Sequence, residues 1–282
     1  MQSATTIRTY RELERFTIAF ADGHMNMLVI HSHGGLGKSE TTRAAMQDRK
    51  AVWIGGHVTP LKLYELLYNG IDQPVVFEEI DGLLGNSLHV GMLKELCETR
   101  SPKRITWSST DRRALEIDGG RGSFETRSTV LILCNSFDKL NENVGALQTR
   151  ATVVRFVPGA EEIVARIRTF APDAEVVTFL EAYCDCLPDL NLRTYGKLVE
   201  MKQAGLDWQR YALDEGDVHP KVREIAELIG RFDNDLARIA NYSGSRRDYY
   251  NWKPQAMAYA KRRLRLSTGE GEVGEGEDRW TA

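Results

Sequence analysis

Met25-Asn26-Met27-Leu28-Val29-Ile30-His31-Ser32-His33-Gly34-Gly35-Leu36-Gly37-Lys38-Ser39 is the stretch on which the fold turns. Residues 25–30 are apolar almost throughout, as a strand buried on both faces is, and residues 38–49 carry a helical pattern. Between them lies a glycine-rich turn ending in Lys38 and Ser39. Glycines let backbone N–H groups converge on phosphate oxygens, and the N-terminus of the following helix adds its positive dipole end. In such a loop Lys38 reaches the β and γ phosphates and the Ser39 hydroxyl ligates Mg²⁺. The expected nucleotide-binding residues are therefore Gly34, Gly35, Leu36, Gly37, Lys38, Ser39 and Glu40. Ser32 stands where the usual pattern begins with glycine.

Moving outward, apolar runs at residues 51–54, 75–77, 130–134 and 153–156 alternate with helical patterns at 61–68 and 88–98. Wholly apolar strands separated by helices indicate a parallel sheet covered on both faces. After residue 158 strand signals stop, and helices are expected at 161–170, 176–186, 192–204, 220–242 and 254–266. The organisation read from this is an α/β nucleotide-binding domain over 1–157, a smaller all-helical region over 158–266, and a Gly/Glu-rich disordered tail over 267–282.

Val75-Val76-Phe77-Glu78-Glu79-Ile80-Asp81 ends an apolar strand in two adjacent carboxylates. Beside a phosphate loop, one acid is placed to hold Mg²⁺ through water and the next to polarise an attacking water. Here the chain resembles the AAA+ ATPases, whose second nucleotide motif is an apolar strand ending in Asp-Glu. The resemblance implies Glu78 as a metal-site acid with Ser39, where the family has the shorter Asp, and Glu79 as the catalytic carboxylate. Leu131-Ile132-Leu133-Cys134-Asn135 is similar to the sensor-1 strand of that family and of superfamily 3 viral and plasmid helicases, implying that Asn135 orients the lytic water. Arg150, in Gln148-Thr149-Arg150-Ala151, resembles the arginine finger inserted into a neighbouring subunit's site, and Arg193 falls where many lids carry sensor 2.

The chain carries a net charge of −3, so any nucleic-acid surface must be a local patch. Residues 100–127 hold seven basic and four acidic residues. Asp118-Gly119-Gly120 reads as a hairpin turn flanked by strands at 114–117 and 123–126. A hairpin before sensor 1 resembles the DNA-contacting hairpins of AAA+ and superfamily 3 helicases, and makes Arg112, Arg113 and Arg121 candidate phosphate contacts; a solvated charged hairpin is the alternative. The basic-aromatic stretch 245–253 fits base stacking or, preferably, packing in a terminal helix.

Cys184 and Cys186 have no second pair at zinc-finger spacing, so all four cysteines are expected to be reduced thiols. No stretch is long enough to span a bilayer, and the N-terminus lacks a secretory pattern, which leads us to expect a cytoplasmic protein, bacterial or in the host of a phage or plasmid. The family resemblance implies a homo-oligomeric ring such as a hexamer, with ATP and Mg²⁺ as cofactors. The expected activity is ATP hydrolysis driving DNA remodelling, as in a helicase, replication initiator or loader. A protein-complex remodeller and a weakly hydrolysing switch are the alternatives. Residues 55–60 lack the aromatic pore loop of threading unfoldases, which counts against the first of these.

Overall fold

A computed structural model describes residues 4–107, 113–137, 147–184, 187, 190–213 and 220–268. The chain divides into two compact units, Met1–Glu162 and Ile163–Ala282. The first begins with β1 (Thr5–Ile7) and α1 (Tyr10–Ala21), and continues through β2 (Met27–His31), α2 (Lys38–Met46), β3 (Val52–Gly55) and α3 (Pro60–Asn69). It then runs through β4 (Val75–Glu78), a 3-10 turn (Ile80–Leu83), α4 (Ser87–Leu96), β5 (Lys103–Thr106), α5 (Arg113–Ile117) and β6 (Ser123–Thr126). After these come β7 (Val130–Cys134), α6 (Leu147–Arg150), β8 (Thr152–Phe156) and α7 (Ala160–Arg168), the helix in which the unit boundary falls.

Six strands form a parallel sheet in the order β1-β8-β2-β7-β4-β3. The strand leading into the glycine-rich turn is thus central, flanked by β8 and β7, and its Leu28, Val29 and Ile30 are fully buried. Each such side chain gives about 1.5–3 kcal/mol on burial, so the base of the turn is among the most firmly held parts of the unit. Alternation along the strands sorts side chains between two faces. Met27, Val29, Val75, Phe77, Val130 and Ile132 point to one face, where Leu63 and Leu67 of α3 and Met92, Leu93 and Leu96 of α4 complete the core. Leu28, Ile30, Val76 and Glu78 belong to the opposite face. All six strands run the same way, so every turn leaving a strand gathers at one edge, where α/β sheets hold ligands.

The hairpin differs from the sequence expectation. β6 is where expected, but its antiparallel partner is β5, with Lys103 opposite Thr126, and residues 113–117 form helix rather than strand. The reason lies in Asp118, which turns inward. Its Oδ2 accepts from the hydroxyl of fully buried Tyr64 at 2.8 Å, and its Oδ1 accepts from the N–H groups of Gly120 and Arg121. These bonds fold the turn signal into an Asx-type turn that follows a helical segment and leads into β6, instead of a strand-to-strand link. Arg112 lies outside the described residues.

In the second unit, α8 (Ala174–Tyr183), α9 (Leu192–Gln203) and α10 (Trp208–Leu213) are followed by α11 (Pro220–Arg231), α12 (Asp235–Ala240) and α13 (Arg246–Thr268). The expected helix over 220–242 is two helices, because Asn234 accepts from the N–H of Ala237 and starts a new N-terminus. The last helix begins at Arg246 and continues through Pro254. Tyr249, Ala256 and Tyr259 make a buried stripe against Val222, Ile225 and Ala226 of α11, and that packing outweighs the hydrogen bond the proline forgoes. The 245–253 aromatics therefore serve chiefly as core, although Tyr250 stays exposed. Among the described cysteines, Cys97 and Cys134 are buried and Cys184 is half-buried. Among the described residues no helix is long and apolar enough to cross a membrane.

Burial works against the charge of Asp118, but the hydrogen bonds from Tyr64, Arg121 and Gly120 outweigh it and hold its carboxyl below the usual range. A carboxyl with a lowered folded pKa stabilises the fold above its unfolded value near pH 4, and that contribution is lost as pH falls through the folded value. Tyr64→Phe is expected to cost about 1–2 kcal/mol in urea unfolding at pH 7, because a buried acceptor loses its partner. The deficit shrinks in acid once Asp118 is protonated.

Candidate functional site

The glycine-rich turn is built from the sheet outward. The N–H of Ser32 donates to the carbonyl of Cys134 at 3.3 Å, extending the β2–β7 pairing one residue past the strand. Gly35 and Gly37 take positive φ angles of 78° and 75°, a region closed to most residues with a Cβ. Leu36, between them, is 6% exposed and pins the loop to the core. Gly37 is the N-cap of α2 and brings no side chain to its first N–H groups, which makes them available to an anion. Ser39 is half-buried and Glu40 exposed in the first turn of that helix. Gly34 stands at the open crest, where an added Cβ would meet nothing within 4 Å.

Lys38 is buried, and its ammonium donates to four oxygens: Ser32 O at 2.8 Å, Ser32 Oγ at 2.9 Å, His33 O at 3.0 Å and Asn135 Oδ1 at 3.2 Å. Two expected site residues from separate strands, Lys38 after β2 and Asn135 after β7, thereby meet directly. Ser32, the departure from the usual glycine, supplies two of the four acceptors. Sequence reading missed that role, since it depends on the loop folding back over its own first residue.

At the neighbouring strand end, Glu78 Oε2 accepts from Arg43 Nη2 of α2 at 2.7 Å, while Oε1 is buried with no hydrogen-bond partner among the described residues. Glu79 is exposed, with a left-handed φ of 53°. Such a conformation costs a non-glycine residue on the order of 1–3 kcal/mol and persists only where the surroundings impose it. Phe77 and Ile80 on either side are fully buried, and they fix the turn that Glu79 must make. The backbone of Asp81 lies in the 3-10 turn that follows.

Arg150 lies elsewhere. It ends α6 immediately before β8, and its Nη1 pairs with Glu98 Oε1 at 3.1 Å. The carbonyl of Glu98 also accepts from the Asn26 side chain, just before β2 begins. Both contacts mark the N-terminal edge of the sheet, a strand length of about 15 Å from the phosphate-loop edge. Arg193 belongs to the second unit, exposed near the start of α9, where its N–H donates to Asn191 Oδ1. Arg113 and Arg121 are exposed around the Asp118 turn, near the hairpin that carries Arg104 and Arg127 on its exposed positions.

ATP and Mg²⁺ are implied by the loop, and the residues present fit them. The loop offers uncapped N–H groups, a buried ammonium and two glycines in the conformation a phosphate cradle needs, and Glu78 carries a buried oxygen that has no partner among the described residues. Mg²⁺ is commonly held by one or two protein groups plus phosphates and water. Ser39 and Glu78 would hold it.

The sequence matches no protein-family model, and no curated protein matches it. Among solved structures it is similar to NtrX from Brucella abortus in complex with ATP, at 14% identity over 91% of this chain and 70% of that one, with a TM-score of 0.48. It is also similar to a Walker-type ATPase of Pyrococcus abyssi (13% identity, 92% and 93% covered, TM-score 0.47) and to domain III of the Thermotoga maritima replication initiator DnaA (15%, 73% and 91%, 0.43). At these identities the likeness is one of fold alone. The chain's own topology is a parallel sheet between helices, with a glycine-rich turn after its central strand and a helical C-terminal region.

The strain at Glu79 reverses the usual ranking of small residues. Glu79→Gly is expected to be more stable than Glu79→Ala by about 1 kcal/mol in thermal unfolding. Equal or lower stability of the glycine variant would show that the left-handed turn carries no strain.

Proposed function

We propose that this chain binds MgATP at the edge where β2, β4 and β7 end, and hydrolyses it as one subunit of a homo-oligomeric motor acting on DNA. The observation that carries the reading is the meeting of Lys38 and Asn135, next to a strand that ends in Glu78 and Glu79. The elements of phosphoryl transfer are positioning and charge stabilisation, and this edge offers both. In this reading the loop N–H groups and Lys38 bind the phosphates, and Ser39 and Glu78 hold Mg²⁺, which supplies neutralisation of phosphate charge. Glu79 takes a proton from the attacking water, which Asn135 orients. The strained backbone at Glu79 supports a functional role, since such strain gathers at active sites.

Arg150 supports the oligomer. It stands at the edge opposite its own phosphate loop, so a role for its guanidinium at a phosphate requires the site of a neighbouring subunit; Glu98 holds it meanwhile. Arg193 is assigned as the lid arginine on the family resemblance. DNA is favoured as the polymer by the exposed arginines of the hairpin region, Arg113 and Arg121, with Arg112 next to them in sequence. Binding through them would weaken steeply as salt rises.

The test is ATPase rate with and without single- and double-stranded DNA. Lys38→Ala is expected to weaken ATP binding at least about tenfold, since it removes a charged donor to phosphate. Glu79→Gln is expected to keep binding while lowering turnover by about 10²–10⁴-fold. Alanine at Arg112, Arg113 and Arg121 together should abolish stimulation by DNA and leave the basal rate intact. Turnover indifferent to DNA would point to a protein complex as the substrate, and no turnover in the wild type would leave a nucleotide switch.

A further inference from the structure

Arg43 takes no part in the chemistry proposed above, yet it touches the acidic strand end. It is the fourth residue after Ser39 on α2, so the two share a face of that helix. On the sheet, Trp53 and Gly55 of β3 stand in register with Val76 and Glu78 of β4, and all four positions belong to one face. Arg43 fits between helix and sheet at this place. Its guanidinium lies 4.4 Å from the centroid of the Trp53 ring, and its Nη2 donates to Glu78 Oε2 at 2.7 Å.

Two further features show what this contact does. Gly55 opposes Glu78 without a side chain; a Cβ there would stand 3.6 Å from the Glu78 Cβ and 3.7 Å from its Oε2, so no side chain of β3 hems in the carboxylate at this position. Glutamate also has one more rotatable bond than the aspartate usual in AAA+ proteins, hence more poses to choose among. The stacked guanidinium removes that freedom. It fixes Oε2 and leaves Oε1 buried and, among the described residues, without a hydrogen-bond partner, a costly state for a carboxylate oxygen unless a ligand meets it. As a simple ion pair the contact would matter little, since the Arg43 side chain is 52% exposed. Its consequence lies in aiming the acid.

We infer that Arg43, stacked on Trp53, is a positioning residue that fixes the Glu78 carboxylate for divalent-cation binding, and so sets the Mg²⁺ concentration that nucleotide binding requires. The inference rests on the MgATP reading above. It explains how a glutamate serves at this position: the arginine takes up the slack of the extra methylene.

The experiment titrates Mg²⁺ against a fixed concentration of a fluorescent, slowly hydrolysed ATP analogue and follows its anisotropy. Wild type is compared with Arg43→Ala, Arg43→Lys, Glu78→Asp and the Arg43→Ala/Glu78→Asp pair. Arg43→Ala is expected to raise the Mg²⁺ midpoint about three- to tenfold, the range of a partly exposed charged hydrogen bond. Arg43→Lys should fall between, because lysine keeps the charge but not the planar stack. In the Glu78→Asp background the same alanine should move the midpoint by no more than about twofold, since the shorter acid no longer engages the arginine. An unmoved or lowered midpoint in Arg43→Ala, or an equal shift in the Glu78→Asp background, overturns the inference while the MgATP reading stands. Nucleotide binding indifferent to Mg²⁺ in the wild type overturns both.

Discussion

The pairing of β2 with β7 is the constraint on which the site depends. Two strands far apart in sequence are brought side by side, and their last residues leave the sheet together, His31 beside Cys134. One step further, the backbone of Ser32 is still tied to Cys134, and one turn of loop later Lys38 reaches across to Asn135. A buried ammonium is expensive unless its protons are taken up. Here four oxygens surround it, three of them from the loop it closes. The charge that suits the site to phosphate is thus also what ties the loop together. Because β2 is central and its apolar residues are buried, the loop stands on the middle of the sheet and not on an edge strand.

The acidic strand end obeys a different logic, in which rigidity comes from opposed demands. Phe77 and Ile80 are both drawn fully into the core, and only two residues separate them. Glu78 points to the α2 face and Glu79 must turn the chain, which sets its positive φ. Two adjacent acids therefore end up in unlike surroundings: one half-buried and held by Arg43, the other exposed on a strained backbone. Unlike surroundings are what allow like residues to take different roles.

How much of this was legible beforehand depended on whether the controlling interaction was local. The phosphate loop, its strand and its helix follow from backbone chemistry within fifteen residues, and the structure has them where the sequence puts them. The acids of β4 and the Asn after β7 were legible for the same reason: an apolar run ends in a polar residue. β5 was not, because its alternation is broken by Lys103, a charged residue that is 2% exposed and gives its ammonium to the carbonyl of Ser128 at 2.7 Å. Residues 114–117 read as strand from the turn beside them, and what decides otherwise is Tyr64, more than forty residues away. β1 is three residues long, too short to announce itself, although the capping box of Thr9 and Glu12 marks the start of α1. Arg43 and Ser32 were invisible as site residues, since each acts through a contact that exists only once α2 has docked or the loop has folded back.

The parallel arrangement also separates the two kinds of charge that the proposed chemistry needs. Loops that leave the strands hold Lys38, Glu78, Glu79 and Asn135 at one edge, and the segments that enter them hold Arg150 and Glu98 at the other. No movement of a side chain bridges a strand length. A guanidinium placed so has either a structural partner, as Glu98 is here, or a partner on another molecule. The two are not exclusive: a partly exposed ion pair is weak enough to be exchanged for a phosphate, whose oxygens a guanidinium fits equally well. In the function proposed here, a sheet with acids and ammonium at one edge and an exchangeable arginine at the other would have its site completed head to tail. Repetition of that contact closes a ring when the rotation allows it and otherwise makes a filament.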